Sequence, residues 1–115
     1  MRDKDKQIVE HLLKHCKEIR MTAERFGNSK EVFKSDFVFY NACAMSLFQI
    51  GELSKRFSDE FKQSHAEFPW KEMRGLRNVF AHEYDAVDKD RFWETIQNDI
   101  PKLVENIEKI TKETL

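Results

Sequence analysis

An all-α bundle is the fold this sequence predicts, on three observations. Apolar residues recur at steps of three and four through most of the chain, the period of helices with one buried stripe. Only three Gly and two Pro interrupt 115 residues, and 36% of the residues are charged, against about 25% in an average globular protein. No stretch reads as a strand, a repeat or a low-complexity tract. The length fits one domain, residues 1–115, long enough to bury a core without staples. The expected architecture is four main helices with one short extra helix.

The first helix is carried by Ile8, Leu12, Leu13, Cys16, Ile19, Ala23 and Phe26, and Gly27-Asn28-Ser29 is its break. Ser29 to Phe33 fits a short helical turn. Asp36 then reads as the N-cap of the next helix. From Asp36 to Phe57 almost no polar face is left over the first four turns, the pattern of a central helix. Gly51 lies inside that helix, where it weakens the helix by about 1 kcal/mol relative to Ala, so it predicts a close helix approach. Ser58-Asp59 and Ser64–Phe68 read as loops, and Pro69 suits the first turn of a helix over about Trp70–Ala81. Met73, Leu76 and Phe80 mark that helix's apolar side, and Lys71, Arg74, Arg77 and Asn78 its polar side. Residues 85–88 form a connection, with Asp88 or Asp90 as the next cap. Trp93, Ile96, Ile100, Leu103, Ile107 and Ile110 are the stripe of the last helix, and Pro101 predicts a kink near Gln97.

Charge and composition exclude several functions. Twenty Lys and Arg against twenty-one Asp and Glu give a net charge of −1, so no global field draws the chain to nucleic acid or an anionic membrane. An anionic ligand needs a local patch. No apolar run approaches the roughly 18 residues of a membrane span. The opening MRDKDKQIVEHLL lacks the features of a signal peptide. Two lone cysteines, Cys16 and Cys43, fit a reducing, cytoplasmic setting.

Chemistry concentrates between Pro69 and Asp85. Arg74, Asn78 and His82 are spaced by four and form one helical ridge, with Arg77 beside it. Arg77 and His82 are five residues apart, about 140° around an ideal helix. They converge only if the helix loosens near His82 or if a second subunit closes the site. Guanidinium forks fit phosphate oxygens, and an imidazole moves protons near neutral pH. Together they are what metal-free cleavage of an RNA phosphodiester requires: a base for the 2′-hydroxyl and a cation for the charge on phosphorus. On residue types alone, an exposed or structural role for Arg and His at a helix end is the commoner outcome.

The wording of the sequence adds a resemblance. Arg77-x-x-x-x-His82-x-Tyr84 resembles the signature of the HepT-like branch of the HEPN superfamily. Ile50-Gly51-Glu52 is similar to the Gly-Glu step of that family's long helix. Phe68-Pro69-Trp70 with Gly75-Leu76-Arg77-Asn78, then Val87-Asp88, Trp93 and Asp99-Ile100-Pro101, also match it in order. The resemblance runs from Phe33 onward and more loosely over the first helix. It implies a HEPN-like helical bundle acting as a homodimeric ribonuclease toxin on RNA, without a cofactor or metal. It also implies a minimal nucleotidyltransferase antitoxin that transfers AMP to the motif tyrosine. Carried over, Arg77 and His82 are the catalytic pair, Asn78 and Arg74 shape the site, and Tyr84 accepts AMP. Glu83 departs from the Gly of many family members and sets a carboxylate where RNA phosphate would approach. The alternative function is a non-catalytic helical subunit of a two-component nucleotidyltransferase.

Other candidates have plainer readings. His11 and His15 are four apart but lack a third metal ligand at a suitable spacing. Cys16 and Cys43 sit in apolar stripes as core thiols. Glu52 is placed either to pair with Arg74 or Arg77 across helices or to face solvent. Asn41, Ser46 and Gln49 interrupt an apolar helix and need partners, at a dimer seam or in the site. Ten Phe residues supply the core, with surplus apolar surface for an interface.

Overall fold

A computed structural model describes the backbone of residues 2–82 and 88–114, and their side chains except at residues 78–82, 113 and 114. The helices in chain order are α1 (Asp3–Arg25), α2 (Lys30–Ser35), α3 (Phe37–Ser54), α4 (Asp59–Ser64), α5 (Trp70–His82), α6 (Lys89–Glu94) and α7 (Ile100–Thr114). A π-helical segment, Thr95–Asp99, joins α6 to α7, so the three run as one long body. Among the described residues there are thus four long helical bodies and two short helices, and no strand. None of these helices is long and apolar enough to cross a membrane.

The boundaries follow local chemistry. α1 ends in a Schellman arrangement: Gly27 N–H donates to the Glu24 carbonyl, and Asn28 N–H to the Ala23 carbonyl at 2.7 Å. Both residues take left-handed backbone, with φ 73° at Gly27 and 50° at Asn28, which Gly and Asn tolerate best. Ser29 caps α2 by accepting from Val32 N–H. Asp36 caps α3, accepting from the N–H groups of Val38 and Phe39, and Asp88 caps α6 through Asp90 and Arg91. The expected kink near Gln97 takes the form of the π segment. Pro101 offers no N–H to the Gln97 carbonyl, and Ile100 N–H instead reaches back five residues to Thr95.

Two details differ from the sequence expectation. α3 ends at Ser54 instead of continuing to Phe57. The Ser58-Asp59 loop is instead the start of α4, because the Ser58 hydroxyl accepts from Phe61 N–H as a cap. That cap is anchored by Asp5, a buried carboxylate 2% exposed. Asp5 accepts from Ser58 N–H at 2.9 Å and from its hydroxyl at 2.7 Å, tying the first turn of α1 to the first turn of α4.

The core runs along α3. Its inward residues Phe39, Cys43, Leu47 and Ile50 are fully buried, and α3 packs against α1 on one flank and α5 on the other. The stripe predicted for the last helix is buried at every position from Trp93 to Ile110. An aromatic knot closes each end of α3. Phe33 meets the rings of Phe39, Tyr40, Phe92 and Trp93 at 5.1–5.5 Å. At the other end Phe57, Phe61, Phe68 and Trp70 interlock, and Trp70 donates from its indole to the His65 carbonyl. That second knot fixes where α5 begins.

Candidate active site

α5 runs antiparallel to α3. Trp70 at its start lies 5.4 Å from Phe57 beyond the end of α3, and Met73 and Arg77 then meet Gly51. A methyl group on Gly51 would stand 2.8 Å from the Arg77 backbone nitrogen and 2.9 Å from the Met73 carbonyl oxygen. Only a residue without Cβ permits this contact, as the sequence led one to expect. The close approach delivers the Arg77 side chain onto α3, where its Nε donates to Glu52 Oε1 at 2.7 Å. Glu52 therefore takes the cross-helix option, with Arg77 as its partner. The pair is only partly shielded, at 34% and 28% exposure, so its contribution is orientation more than stability.

Glu52 belongs to the outward face of α3. At 100° per residue, Phe37, Phe48, Asn41, Glu52, Met45 and Val38 fall in that order within an arc of about 100°. The face is apolar yet uncovered: Phe37 is 74% exposed, Val38 54% and Met45 61%. Gln49 borders it, half-buried, whereas Ser46 points inward and is buried, so Ser46 is no part of an outward seam. Arg77 thus reaches from α5 to the edge of an exposed apolar helix face.

The other predicted site residues are placed unevenly. Arg74 is exposed and forms no ion pair among the described residues. The backbone of α5 carries Asn78 and His82 and is α-helical to His82; their side chains lie outside the described residues. So do Glu83 and Tyr84 altogether, with the connection from 83 to 87. Because α5 does not loosen up to His82, Arg77 and His82 leave one helix about 140° apart.

Elsewhere the polar groups are structural. Cys16 and Cys43 are buried, and desolvation pushes both thiols up to about 12, which keeps them protonated and unreactive. On α1, His11 is exposed and His15 half-buried, with His15 Nδ1 4.0 Å from Glu18. Burial lowers the His15 pKa, partly opposed by Glu18. No cluster of three metal-ligating side chains occurs among the described residues. A groove between α1 and the junction of the π segment with α7, lined by Arg20, Ala23, Glu24, Ile96, Pro101 and Glu108, includes neither Arg77 nor Glu52 and is mixed in charge. The Asp5–Ser58 tie was not foreseen; an acid in a charged first turn looks like any solvated residue until its partner 53 positions away is known.

The chain is similar to known proteins along most of its length. A family model described as "Ribonuclease HepT-like" matches residues 9–110. The chain is 39% identical over 103 residues to "Putative RNase TTE0752" of Caldanaerobacter subterraneus subsp. tengcongensis, covering 89% of both chains. It is 43% identical over 63 residues to "Probable ribonuclease HepT" of Thermococcus cleftensis, covering 55% of this chain and 57% of that one. It is 37% identical over 59 residues to "Putative RNase MJ1380" of Methanocaldococcus jannaschii, covering 51% and 54%. The similarity therefore spans most of the first relative and just over half of the other two. No solved structure gives a significant match.

Proposed function

This chain belongs to the HepT-like ribonuclease family, and on that premise we propose that it is a metal-independent endoribonuclease, the toxin of a toxin–antitoxin pair. His82 takes the proton of an RNA 2′-hydroxyl as the oxygen attacks the adjacent phosphorus. The O2′–P bond forms, the P–O5′ bond breaks, and the departing O5′ receives a proton from the imidazolium. A 2′,3′-cyclic phosphate and a 5′-hydroxyl result. Arg77 stabilises the negative charge that gathers on the phosphoryl oxygens, and Glu52 holds its Nε edge so that the guanidinium is aimed before RNA arrives. Arg74 and Asn78 line the same helix on the approach. The observation that carries this reading is the Gly51 contact, which places Arg77 at the edge of the exposed face of α3.

The working unit is a homodimer formed across that face. Phe37, Val38 and Met45 are apolar groups that a second copy would remove from water. A second copy would also bring two Arg77/His82 sets into one cleft, which resolves their divergence on a single helix. The partner in regulation is a minimal nucleotidyltransferase that adds AMP to Tyr84, setting bulk and negative charge at the mouth of the cleft.

Growth arrest on expression tests the reading. His82→Ala should abolish it while expression and helicity persist; arrest retained by that variant would sink the assignment of His82. Light scattering should report about twice the 13.8 kDa chain mass. After co-expression with the nucleotidyltransferase, intact mass should rise by AMP units in the wild type and not in Tyr84→Phe.

A further inference from the structure

We propose that Lys55, Arg56, Lys71 and Arg74 form a phosphate-binding surface beside Arg77 that holds the RNA backbone next to the point of cleavage. That the polyanion is RNA rests on the nuclease reading.

Two antiparallel helices bring these cations to one end of one face. Lys55 and Arg56 follow Ser54, and their N–H groups donate to the Glu52 and Leu53 carbonyls, so the coil of α3 runs on for one more turn. They stand about five full turns beyond Phe37 and Val38 and therefore extend the same outward face. On α5, Arg74 and Lys71 lie about 60° and 120° round from Arg77, on the side where Arg77 meets Glu52. That is the side of the outward face of α3. Trp70 packs on Phe57 with ring centroids 5.4 Å apart, which sets their chain neighbours Lys71 and Arg56 at one level. The outward face thus changes character along its length, apolar at Phe37, Val38 and Met45 and cationic past Glu52.

The positive charge is in excess and faces water. Lys55, Arg56, Lys71 and Arg74 are all exposed, and none forms an ion pair among the described residues. Of the nearby acids, Glu52 is engaged by Arg77 at 2.7 Å, Glu60 by Arg2 at 3.1 Å, and Glu67 lies 3.3 Å from His65. Glu72 leaves α5 about 160° round from Arg74. Asp59 opens α4, whose cap Ser58 is tied to Asp5 of α1, on the other flank of α3. Even with Glu72 and Asp59 both set against the four cations, an excess of two remains, in a chain whose net charge is −1. From Arg77 to Lys71 the cations cover about 9 Å of α5, the length of two or three phosphates at about 3.4 Å each in a stacked strand. Continuity with Arg77 assigns the surface to the substrate backbone and not to a separate acidic protein. Guanidinium forks and ammonium charges on successive phosphates give affinity without reading bases.

The test uses a short single-stranded oligodeoxynucleotide, which offers phosphates but has no 2′-hydroxyl to attack. Its binding to the full chain is followed by fluorescence anisotropy over a range of salt. Lys55→Gln/Arg56→Gln/Lys71→Gln should bind about tenfold more weakly at low salt. Its log–log salt slope should be shallower by about 2, at roughly 0.7 for each phosphate that is no longer neutralised. Lys55→Arg/Arg56→Lys/Lys71→Arg keeps the charge and should bind like the wild type, which separates charge from shape and folding. An equal charge removal on α1, Lys14→Gln/Lys17→Gln/Arg20→Gln, is the reference for net charge. The surface is overturned if the first variant binds like the wild type or is weakened no more than the α1 variant. It is equally overturned if the charge-keeping variant loses binding to the same extent. Polyglutamate that displaces the oligonucleotide at equal charge concentration would assign the surface to an acidic protein and end its RNA role. Wild-type protein that shows the expected differences but cuts no RNA would keep the surface and sink the nuclease reading. Protein that cuts RNA while the first variant binds normally would do the reverse.

Discussion

The inward and outward faces of α3 are built from the same kinds of residue and have opposite fates. Inward, Phe39, Cys43, Leu47 and Ile50 are fully buried among α1, α5 and the aromatic knots. Outward, Phe37, Val38 and Met45 stay exposed, and Glu52 holds Arg77 beside them. The inward face accounts for the fold. The outward face contributes little to folding one chain, and in the proposed homodimer a second copy covers its large apolar groups. Under the proposed function, stability and activity are divided between two faces of one helix, and substitutions on each should separate them.

Leu47→Ala, on the inward face, should show the largest loss of stability, about 2–5 kcal/mol from transfer and cavity together. Denaturant unfolding measures it, and cleavage by the folded fraction should persist. Gly51→Ala lies between the faces. Its methyl group meets backbone, not a flexible side-chain end, so α3 and α5 must part at a cost of about 1–3 kcal/mol. Because Arg77 moves with α5, RNA cleavage should fall by more than the folded fraction explains. Val38→Ser/Met45→Ser, on the outward face, should change chain stability by no more than about 0.5 kcal/mol at each position. The same variant should shift light scattering from dimer to monomer and lose cleavage. If it stays dimeric and active, the outward face is not the interface.

The smallest effect is one of pH, on α1 away from both faces. Burial lowers the His15 pKa, so the folded state favours the neutral ring. That stabilisation is fully present above the ordinary histidine value of 6.5 and is lost as pH falls through the lower folded value. Between pH 7 and 5 the unfolding midpoint of the wild type should drop, and His15→Gln should flatten that drop. An unchanged pH profile in His15→Gln would remove His15 as a contributor.

Helix positions were readable from the sequence where a period met a cap. Asp36 and Asp88 stand immediately before apolar stripes, so α3 and α6 begin where they should. Pro101 announced the irregularity near Gln97, although the period alone could not say that it would be a π segment. α4 escaped because six residues are too few to show a period, and its cap depends on Asp5, 53 residues earlier. For α3 the difficulty was the reverse. Apolar residues on all sides give no moment, so which face turns inward is decided by α1 and α5, not by the helix itself. At the site, Gly51 was legible because an unexplained glycine in a helix has few other uses. The choice of Glu52 between Arg74 and Arg77 was not, since both lie on α5 and only the depth of the Gly51 contact selects Arg77.

Under the proposed function, Arg77, aimed by Glu52 at the edge of the outward face, works with His82 to cut RNA without a metal. The most direct measurement is single-turnover cleavage of a defined single-stranded RNA by the purified chain in excess chelator, with the product ends read by mass. Wild-type protein should leave 2′,3′-cyclic phosphate ends. His82→Ala and Arg77→Ala should each slow cleavage by about 10²–10⁴-fold, and Glu52→Gln by less, while all three keep their helicity. Cleavage by Arg77→Ala at the wild-type rate, or wild-type cleavage that stops when the metal is removed, would contradict the account.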